Sequence, residues 1–218
     1  MAKSALSLLA FVFYLMFSFY VKIVNEPNIP ENLVVFQFII SNRLQYLNDF
    51  MILLSKYGRE YFWTFVVILL WVFGKEKEKK SSILMALGFI IAIIFGEFSK
   101  MLIMQPRPSV LFYLIPEKLN DYSYPSGHAL IVATGAIIAL LMLPLFVSIP
   151  LLIEAIAVSY SRIYIGVHWP IDILGGWILG IAIALFAVSM YEKIDPVYNL
   201  LIKTWNKIVK FIHWSIFS

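Results

Sequence analysis

Long apolar runs with few charged residues recur along this chain of 218 residues, and they constrain its fold more than any other feature. Hydrophobic residues make up 61% of the sequence and charged residues 14%, whereas soluble domains average about 45–50% and about 25%. A soluble protein of this size has too little polar surface to cover so much apolar material. The sequence therefore predicts a protein embedded in a lipid bilayer.

Six segments are apolar enough to serve as spanning helices, each of which needs about 20 mostly apolar residues. They lie near residues 5–24, 60–74, 82–104, 128–147, 150–166 and 170–191. We expect the first to be a retained span rather than a cleaved signal peptide, because it contains no obvious A-x-A cleavage site. The predicted fold is all-α, a polytopic membrane helical bundle with about six transmembrane helices plus interfacial helices, formed as one domain over residues 1–218.

Two further segments mix apolar residues with charged and amide side chains. Residues 25–58 favour an interfacial helix, with a re-entrant helix as the alternative, and residues 192–218 favour a basic interfacial tail. The lysine cluster within residues 75–80 is expected in the cytoplasm, because short cytoplasmic loops carry an excess of Lys and Arg. The loops at 105–127 and 161–169 then face outward. We therefore expect an integral protein of the cell membrane.

The first of three polar groups at the predicted outer ends of spans contains Lys100 and Arg107. Lys100 lies about one turn from the end of the third span, and Pro106 and Pro108 are expected to stop that helix. A lysine near a helix end can simply extend to the interface. An arginine held between two prolines is harder to explain in this way, and its guanidinium suits phosphate oxygens.

The second polar group, Ser126-Gly127-His128, lies immediately before the fourth span. Ser126 and Gly127 are suited to a helix N-terminus, whose free N–H groups and positive dipole end bind anions. His128 would then lie at the rim of an anion site. The alternative is an ordinary helix cap next to an interfacial histidine.

The third polar group runs from Ser161-Arg162 to His168 and Asp172. Pro170 is expected to be the first residue of the sixth span, which leaves His168 just outside the helix and Asp172 in its first turn. The carboxylate can then fold back and accept one ring N–H, leaving the other ring nitrogen free as a nucleophile. The alternative is a capping Asp beside an unrelated His.

Together the three groups resemble the signature of the type 2 phosphatidic acid phosphatase (PAP2) superfamily, membrane lipid phosphatase branch. Its pattern of Lys-x6-Arg-Pro, Pro-Ser-Gly-His and Ser-Arg-x5-His-x3-Asp is matched in order and spacing over residues 100–172. The resemblance implies that His168 attacks phosphorus to form a phosphohistidine, that Asp172 orients it, and that His128 protonates the leaving oxygen. The phosphate ligands that it implies are Lys100, Arg107, Ser126, Gly127 and Arg162.

The implied activity is hydrolysis of a lipid phosphate or diphosphate, of the polyprenyl diphosphate, phosphatidylglycerophosphate or phosphatidic acid type. The alternatives are a lipid phosphotransferase and a non-catalytic lipid-binding or transport protein on the same fold. No metal and no cofactor is expected, because the cations around the two histidines repel a dication and attract phosphate. Nucleic acid is not an expected partner. The oligomeric state and the roles of Glu97, Glu154 and His213 are left open.

Overall fold

Nine α-helices make up most of the part of the chain that the structure, a computed structural model, describes: residues 2–115 and 119–217, with side chains for residues 3–115 and 119–211. They are α1 (Ala2–Val24), α2 (Pro30–Ser41), α3 (Asn48–Tyr57), α4 (Glu60–Phe73), α5 (Glu76–Ile103), α6 (Gly127–Met142), α7 (Leu145–Tyr164), α8 (Pro170–Ser189) and α9 (Asp195–Phe217). These residues contain no strand, and the predicted all-α fold is confirmed.

Helices α1, α5, α7 and α8 are long and apolar enough to cross a membrane. Helices α4 and α6 are apolar but shorter, at 14 and 16 residues. These six helices correspond to the six predicted spans. The side chain of His213, to which the sequence assigned no role, lies outside the described residues.

Two predicted span boundaries were wrong. Helix α5 begins at Glu76 instead of near residue 82, because the Glu78 carboxylate accepts a hydrogen bond from the Lys75 backbone N–H at 3.0 Å and so caps the helix. The break between the fourth and fifth spans lies at Pro144 instead of residues 148–149. The Pro144 carbonyl accepts the first hydrogen bonds of α7, and Pro150 lies inside that helix.

The segment 25–58 contains α2 and α3, each preceded by a short 3-10 turn, and the tail forms α9. The depth of these helices relative to the membrane stays a prediction. At the start of the tail, Asp195 pairs with Lys80 at 2.7 Å, near the first end of α5. Since α5 has 28 residues and a helix rises about 1.5 Å per residue, Lys100 lies roughly 30 Å from Lys80. The lysine cluster at the N-terminal end of α5 is therefore far from the C-terminal end of this helix.

Close packing of α6 against α8 brings two of the polar segments together. A Cβ atom added at Gly176 would lie 2.9 Å from the Ser126 carbonyl oxygen, and one added at Gly180 would lie 2.9 Å from the Ala133 Cβ. Only hydrogen fits at these two positions of α8. At the N-terminal ends of the helices, the Ser126 N–H donates to the Asp172 carbonyl oxygen at 3.1 Å. The residues that begin α6 and α8 are thus held side by side.

Candidate active site

His168 and Asp172 form a buried pair at the start of α8. The His168 Nδ1 lies 2.9 Å from the Asp172 Oδ2, and the two residues are 2% and 0% exposed. The Trp169 N–H donates to the same carboxylate oxygen at 2.8 Å. Pro170 begins the helix, and the carboxylate folds back as predicted. Because a carboxylate accepts, the ring proton lies on Nδ1 and the Nε2 lone pair is free.

Ser123 is a further partner of this pair that the sequence argument missed. It is fully buried, its hydroxyl donates to the Asp172 Oδ2, and its Oγ lies 3.4 Å from the His168 Nδ1. Ser123 belongs to the loop before α6, two residues upstream of the Pro-Ser-Gly-His segment. A small hydroxyl residue in a loop carries no sequence signal of such a contact.

Glu26, in the turn after α1, lies behind Asp172 and was also missed. It is fully buried, and its carboxyl group interacts with that of Asp172. Among the described residues, the two Glu26 oxygens and the Asp172 Oδ1 have no other hydrogen-bond partner. Two carboxylates accept only, so a hydrogen bond between them requires a proton on one. Burial and the neighbouring charge of Asp172 raise the pKa of Glu26 to about 12, so Glu26 is the neutral donor.

Two hydrogen bonds fix the backbone of Glu26, and a third connects it through Asn32 to α8. Its N–H donates to the Gln105 Oε1 at 2.9 Å, and its carbonyl accepts from the Asn32 Nδ2 at 3.0 Å. The Asn32 Oδ1 in turn accepts from the Ile171 N–H at 2.9 Å, in the first turn of α8. The N-terminal region therefore supports the site from behind, although it contains no recognisable motif.

Arg107 places its guanidinium against the free nitrogen of His168. The Arg107 Nη1 lies 3.1 Å from the His168 Nε2 and donates to the Val167 carbonyl at 2.8 Å. The Nη2 pairs with the Asp121 Oδ1 at 2.9 Å, and Nε donates to the Asp121 carbonyl at 3.1 Å. The guanidinium thus lies between the imidazole and a loop carboxylate.

Asp121 joins the two cations of the first polar segment and was not predicted. The Lys100 Nζ contacts the Asp121 Oδ2 at 2.6 Å and also pairs with Glu97 at 3.2 Å. Burial opposes ionisation of Asp121, but the Lys100 hydrogen bond and the Arg107 charge outweigh it, so the pKa of Asp121 is lowered. The Asp121 carboxylate is therefore bound by Lys100 and Arg107, two of the residues that the resemblance assigns to phosphate binding.

The second polar segment begins α6 as predicted. Ser126 is the fully buried N-cap residue, and its Oγ accepts from the Ala129 N–H at 3.5 Å. Gly127 is the first helical residue. Arg162, near the end of α7, is 7% exposed and donates from Nη1 to the Ser55 hydroxyl of α3.

His128 contacts a fourth cation, Arg59, which lies outside the signature. The Arg59 Nη1 is 3.3 Å from the His128 Nδ1, and its Nη2 pairs with Glu60. A Cβ atom added at Gly127 would lie 3.4 Å from the same Nη1. The guanidinium therefore lies over the first turn of α6. Arg59 immediately precedes α4, and no pattern in the sequence distinguished it from other interfacial arginines.

The pKa of His168 is influenced by residues from all three polar segments. Burial lowers the pKa of His168 well below its ordinary value, and nearby charged and titratable groups lower it further. These groups are Arg107, Arg162, His128 and Lys100. His168 is therefore neutral at neutral pH, which is the protonation state that the predicted nucleophile role requires. We call Lys100, Arg107 and Arg162 the cationic cup.

A cavity of about 310 Å³ between α4, α5 and α6 adjoins this region. Charged residues line the end of the cavity nearest the first turn of α6, beside Gly127: Arg59, Glu60 and Glu97. Away from this end the lining becomes apolar, with Trp63, Phe89, Ile93, Leu130 and Ile131. The cavity therefore has a charged end beside the site and an apolar end among the spanning helices.

The expectation that no metal ion is bound rests on which side chains surround the two histidines. Among the residues that the structure describes, no group of three or more His, Cys, Asp or Glu side chains could hold a metal ion. The two histidines face Arg107 and Arg59 instead. The expectation stays a prediction that a chelator can test.

Comparison with known proteins agrees with the fold and the segments of the site. The model of the PAP2 superfamily matches residues 81–196. An undecaprenyl-diphosphatase of Sulfolobus acidocaldarius is 44% identical over 191 residues, which cover 86% of this chain and 91% of that protein. Undecaprenyl-diphosphatase BcrC of Bacillus subtilis is 25% identical over 176 residues, covering 78% and 88%.

Among solved structures, a transmembrane PAP2 type phosphatidylglycerolphosphate phosphatase from Bacillus subtilis superimposes with a TM-score of 0.69. The match covers 87% of this chain and 97% of that one at 23% sequence identity, and it establishes the shared fold. Since the family model spans more than half of the sequence and a relative shares 44% of its residues over most of its length, this chain belongs to the PAP2 superfamily.

Proposed function

We propose that this membrane-embedded phosphatase removes the terminal phosphate from a polyprenyl-type lipid diphosphate. The observation that carries the proposal is the unprotonated Nε2 of a neutral, buried His168, directed at the guanidinium of Arg107 at 3.1 Å. A nucleophile and a phosphate-binding cation are in contact there. The undecaprenyl-diphosphatase activity named for a relative of 44% identity favours a polyprenyl diphosphate among the lipid phosphates.

In the first step, the terminal phosphate binds in the cationic cup and to the N–H groups at the start of α6. The His168 Nε2 attacks phosphorus, and the bond from phosphorus to the bridging oxygen breaks with its electron pair on that oxygen. Asp172 stabilises the imidazole as it becomes cationic, supported by Ser123 and Glu26. Positioning and neutralisation of oxygen charge supply most of the catalysis in such reactions.

In the second step, water attacks the phosphohistidine and the bond between phosphorus and Nε2 breaks. The products are inorganic phosphate and free His168. His128, beside the position of the leaving oxygen, takes up a proton when the anionic substrate binds. It gives this proton to the leaving oxygen in the first step and recovers one from the attacking water in the second. The electron pair of the broken bond returns to Nε2, so His168 is again neutral, with its ring proton on Nδ1 against Asp172.

The cavity between α4, α5 and α6 accommodates the first part of the lipid chain. Its apolar walls lead away from the charged end and into the bundle, which matches an amphiphile with a diphosphate headgroup. The protein is an integral membrane protein. We place it in the cell membrane with the site on the extracytoplasmic face, because the lysine cluster lies toward the opposite end of α5.

The test measures phosphate release by the purified protein from undecaprenyl diphosphate, phosphatidylglycerophosphate and phosphatidic acid. We expect the highest kcat/KM with the diphosphate, no activity in His168→Ala, and no loss in excess EDTA. His213→Ala, at a histidine without an assigned role, is the matched control. Wild-type turnover by His168→Ala would remove the nucleophile from the proposal, and EDTA inhibition reversed by a dication would overturn the metal-free mechanism.

A run in ¹⁸O-labelled water separates hydrolysis from phosphotransfer. Hydrolysis places one labelled oxygen in each phosphate released. A phosphotransferase would instead give an unlabelled phosphate ester of an added alcohol, and a non-catalytic transporter would release no phosphate.

A further inference from the structure

We propose that Arg59 binds the lipid-proximal phosphate of a diphosphate substrate, and that it thereby selects diphosphates over monophosphates. The inference rests on the proposed function and adds a second phosphate site to it. Arg59 lies outside the three signature segments, in the turn between α3 and α4. Its position relative to His128, the cationic cup and the cavity supports this assignment.

The parts of the site follow the order of the parts of the substrate. A lipid diphosphate consists of a chain, a proximal phosphate, a bridging oxygen and a terminal phosphate. The apolar cavity has Arg59 at its charged end, Arg59 contacts His128, and His128 lies within electrostatic range of His168. With the terminal phosphate against His168, the bridging oxygen falls near His128. The proximal phosphate then falls at Arg59.

The contact between Arg59 and His128 identifies which ring edge faces the leaving group. A guanidinium only donates, so the His128 Nδ1 accepts from it at 3.3 Å. The proton of the neutral His128 ring therefore lies on Nε2, and this is the edge that can donate to a leaving oxygen. The Arg59 guanidinium borders the other edge of the ring, so a proximal phosphate bound at Arg59 lies next to the imidazole.

The chemistry of the leaving group explains why a cation at this position favours diphosphates. When a diphosphate is cleaved, the electron pair of the broken bond goes to a phosphate monoester, whose negative charge a guanidinium stabilises. When a monophosphate is cleaved, the pair goes to an alkoxide, which depends on a proton from His128. A neighbouring positive charge disfavours that protonated imidazole. Arg59 therefore favours the diphosphate, whose leaving group it stabilises directly, over the monophosphate, whose leaving group depends on the His128 proton alone.

The present partner of Arg59 is replaceable. Its Nη2 pairs with Glu60, whose side chain is 52% exposed, and the Arg59 side chain is itself 29% exposed. Ion pairs between such partly exposed groups contribute little free energy. The negatively charged proximal phosphate can therefore take over this guanidinium, and Glu60 can turn to water.

The test compares Arg59→Gln with wild type on undecaprenyl diphosphate and undecaprenyl monophosphate. We expect kcat/KM to fall about 10- to 100-fold more for the diphosphate, the usual cost of losing a hydrogen bond to a charged group. Soluble inhibitors give a second measurement, in which the Ki of pyrophosphate rises by a similar factor relative to that of orthophosphate. Arg59→Lys, which keeps the charge without the fork, should be intermediate in both.

The matched control is Lys56→Gln, which removes the same charge from an exposed position of α3 near Arg59. It should leave both ratios at the wild-type value, since general attraction of anions acts on both substrates. Equal losses on the two substrates in Arg59→Gln, or an unchanged ratio of inhibitor constants, would overturn the role of Arg59. The proposed function fails separately, if wild type releases phosphate from neither lipid or if His168→Ala remains active.

Discussion

Replacing Glu26 with Gln tests whether Glu26, next to the pair formed by His168 and Asp172, is protonated in the folded protein. The folded protein keeps Glu26 neutral, with a pKa of about 12 against an ordinary value of 4.5. A group whose pKa is raised by folding makes the protein less stable as pH rises above the unfolded value, because only the unfolded chain releases the proton. Gln cannot ionise, so the variant does not lose stability in this way as pH rises.

The magnitude follows from the unfolded pKa alone, since Glu26 in the folded protein stays protonated throughout the range tested. Between pH 4.5 and pH 7 the wild type loses about 1.36 kcal/mol per pH unit, or roughly 3 kcal/mol. The second amide hydrogen of Gln has no evident acceptor in this pocket and costs about 1–3 kcal/mol at every pH. The test therefore measures how the difference in unfolding free energy between the variant and wild type changes with pH. The size of that difference at a single pH does not decide it.

The assay is unfolding of purified wild type and Glu26→Gln in detergent at pH 4.5 and pH 7, followed by tryptophan fluorescence. We expect the variant to gain about 3 kcal/mol relative to wild type between the two pH values, or roughly 6–12 °C in Tm. The matched control is Glu31→Gln, an exposed residue of the neighbouring helix α2, which should show no such change. Phosphatase activity should persist in Glu26→Gln, because the amide still donates to Asp172.

A stability difference that is the same at pH 4.5 and pH 7 would refute the reasoning. Glu26 would then ionise in the folded protein, and the hydrogen bond between the two carboxyl groups would not exist at neutral pH. Loss of activity in Glu26→Gln with the expected stability change would instead mean that the proton of Glu26 itself takes part in turnover.

Asp121→Asn frees Lys100 and Arg107 from two partly exposed ion pairs of about 1 kcal/mol each, so the Ki of orthovanadate should fall about 10- to 30-fold. The exposed Asp49→Asn is its control, and weaker vanadate binding in Asp121→Asn would mean that the carboxylate positions the cations rather than competing with phosphate. A cysteine introduced at Asn120 should react with an impermeant maleimide added outside intact cells, because the loop before α6 is predicted to face outward. Labelling only after the cells are opened would reverse the orientation.

Local sequence was sufficient for the helices and for the pair at the start of α8. Apolar runs of spanning length predict helices because no other open structure satisfies its backbone in lipid. Pro170, His168 and Asp172 lie within five residues, so helix geometry alone brings the carboxylate to the imidazole at 2.9 Å. The helix ends were harder to predict, because the competition between Pro144 and Pro150 for the start of α7 depends on packing.

The cationic side of the site could be inferred from the sequence only through spacing and resemblance. Lys100 lies on α5, Arg107 in the loop after it and Arg162 on α7, so their approach depends on how these elements pack together. The signature predicted that they meet because it matches a known family. Composition and periodicity could not have done so.

The sequence by itself determined that this chain is a helical membrane protein with a phosphate-binding signature, because hydropathy and local spacing are properties of consecutive residues. Only the tertiary structure decided that Glu26, Arg59, Asp121 and Ser123 belong to the site. These four carry no motif, and Glu26 is 146 positions from the Asp172 that it contacts. Contacts at such separations depend on how the helices pack, which is set by the shapes of many side chains at once rather than by any local pattern.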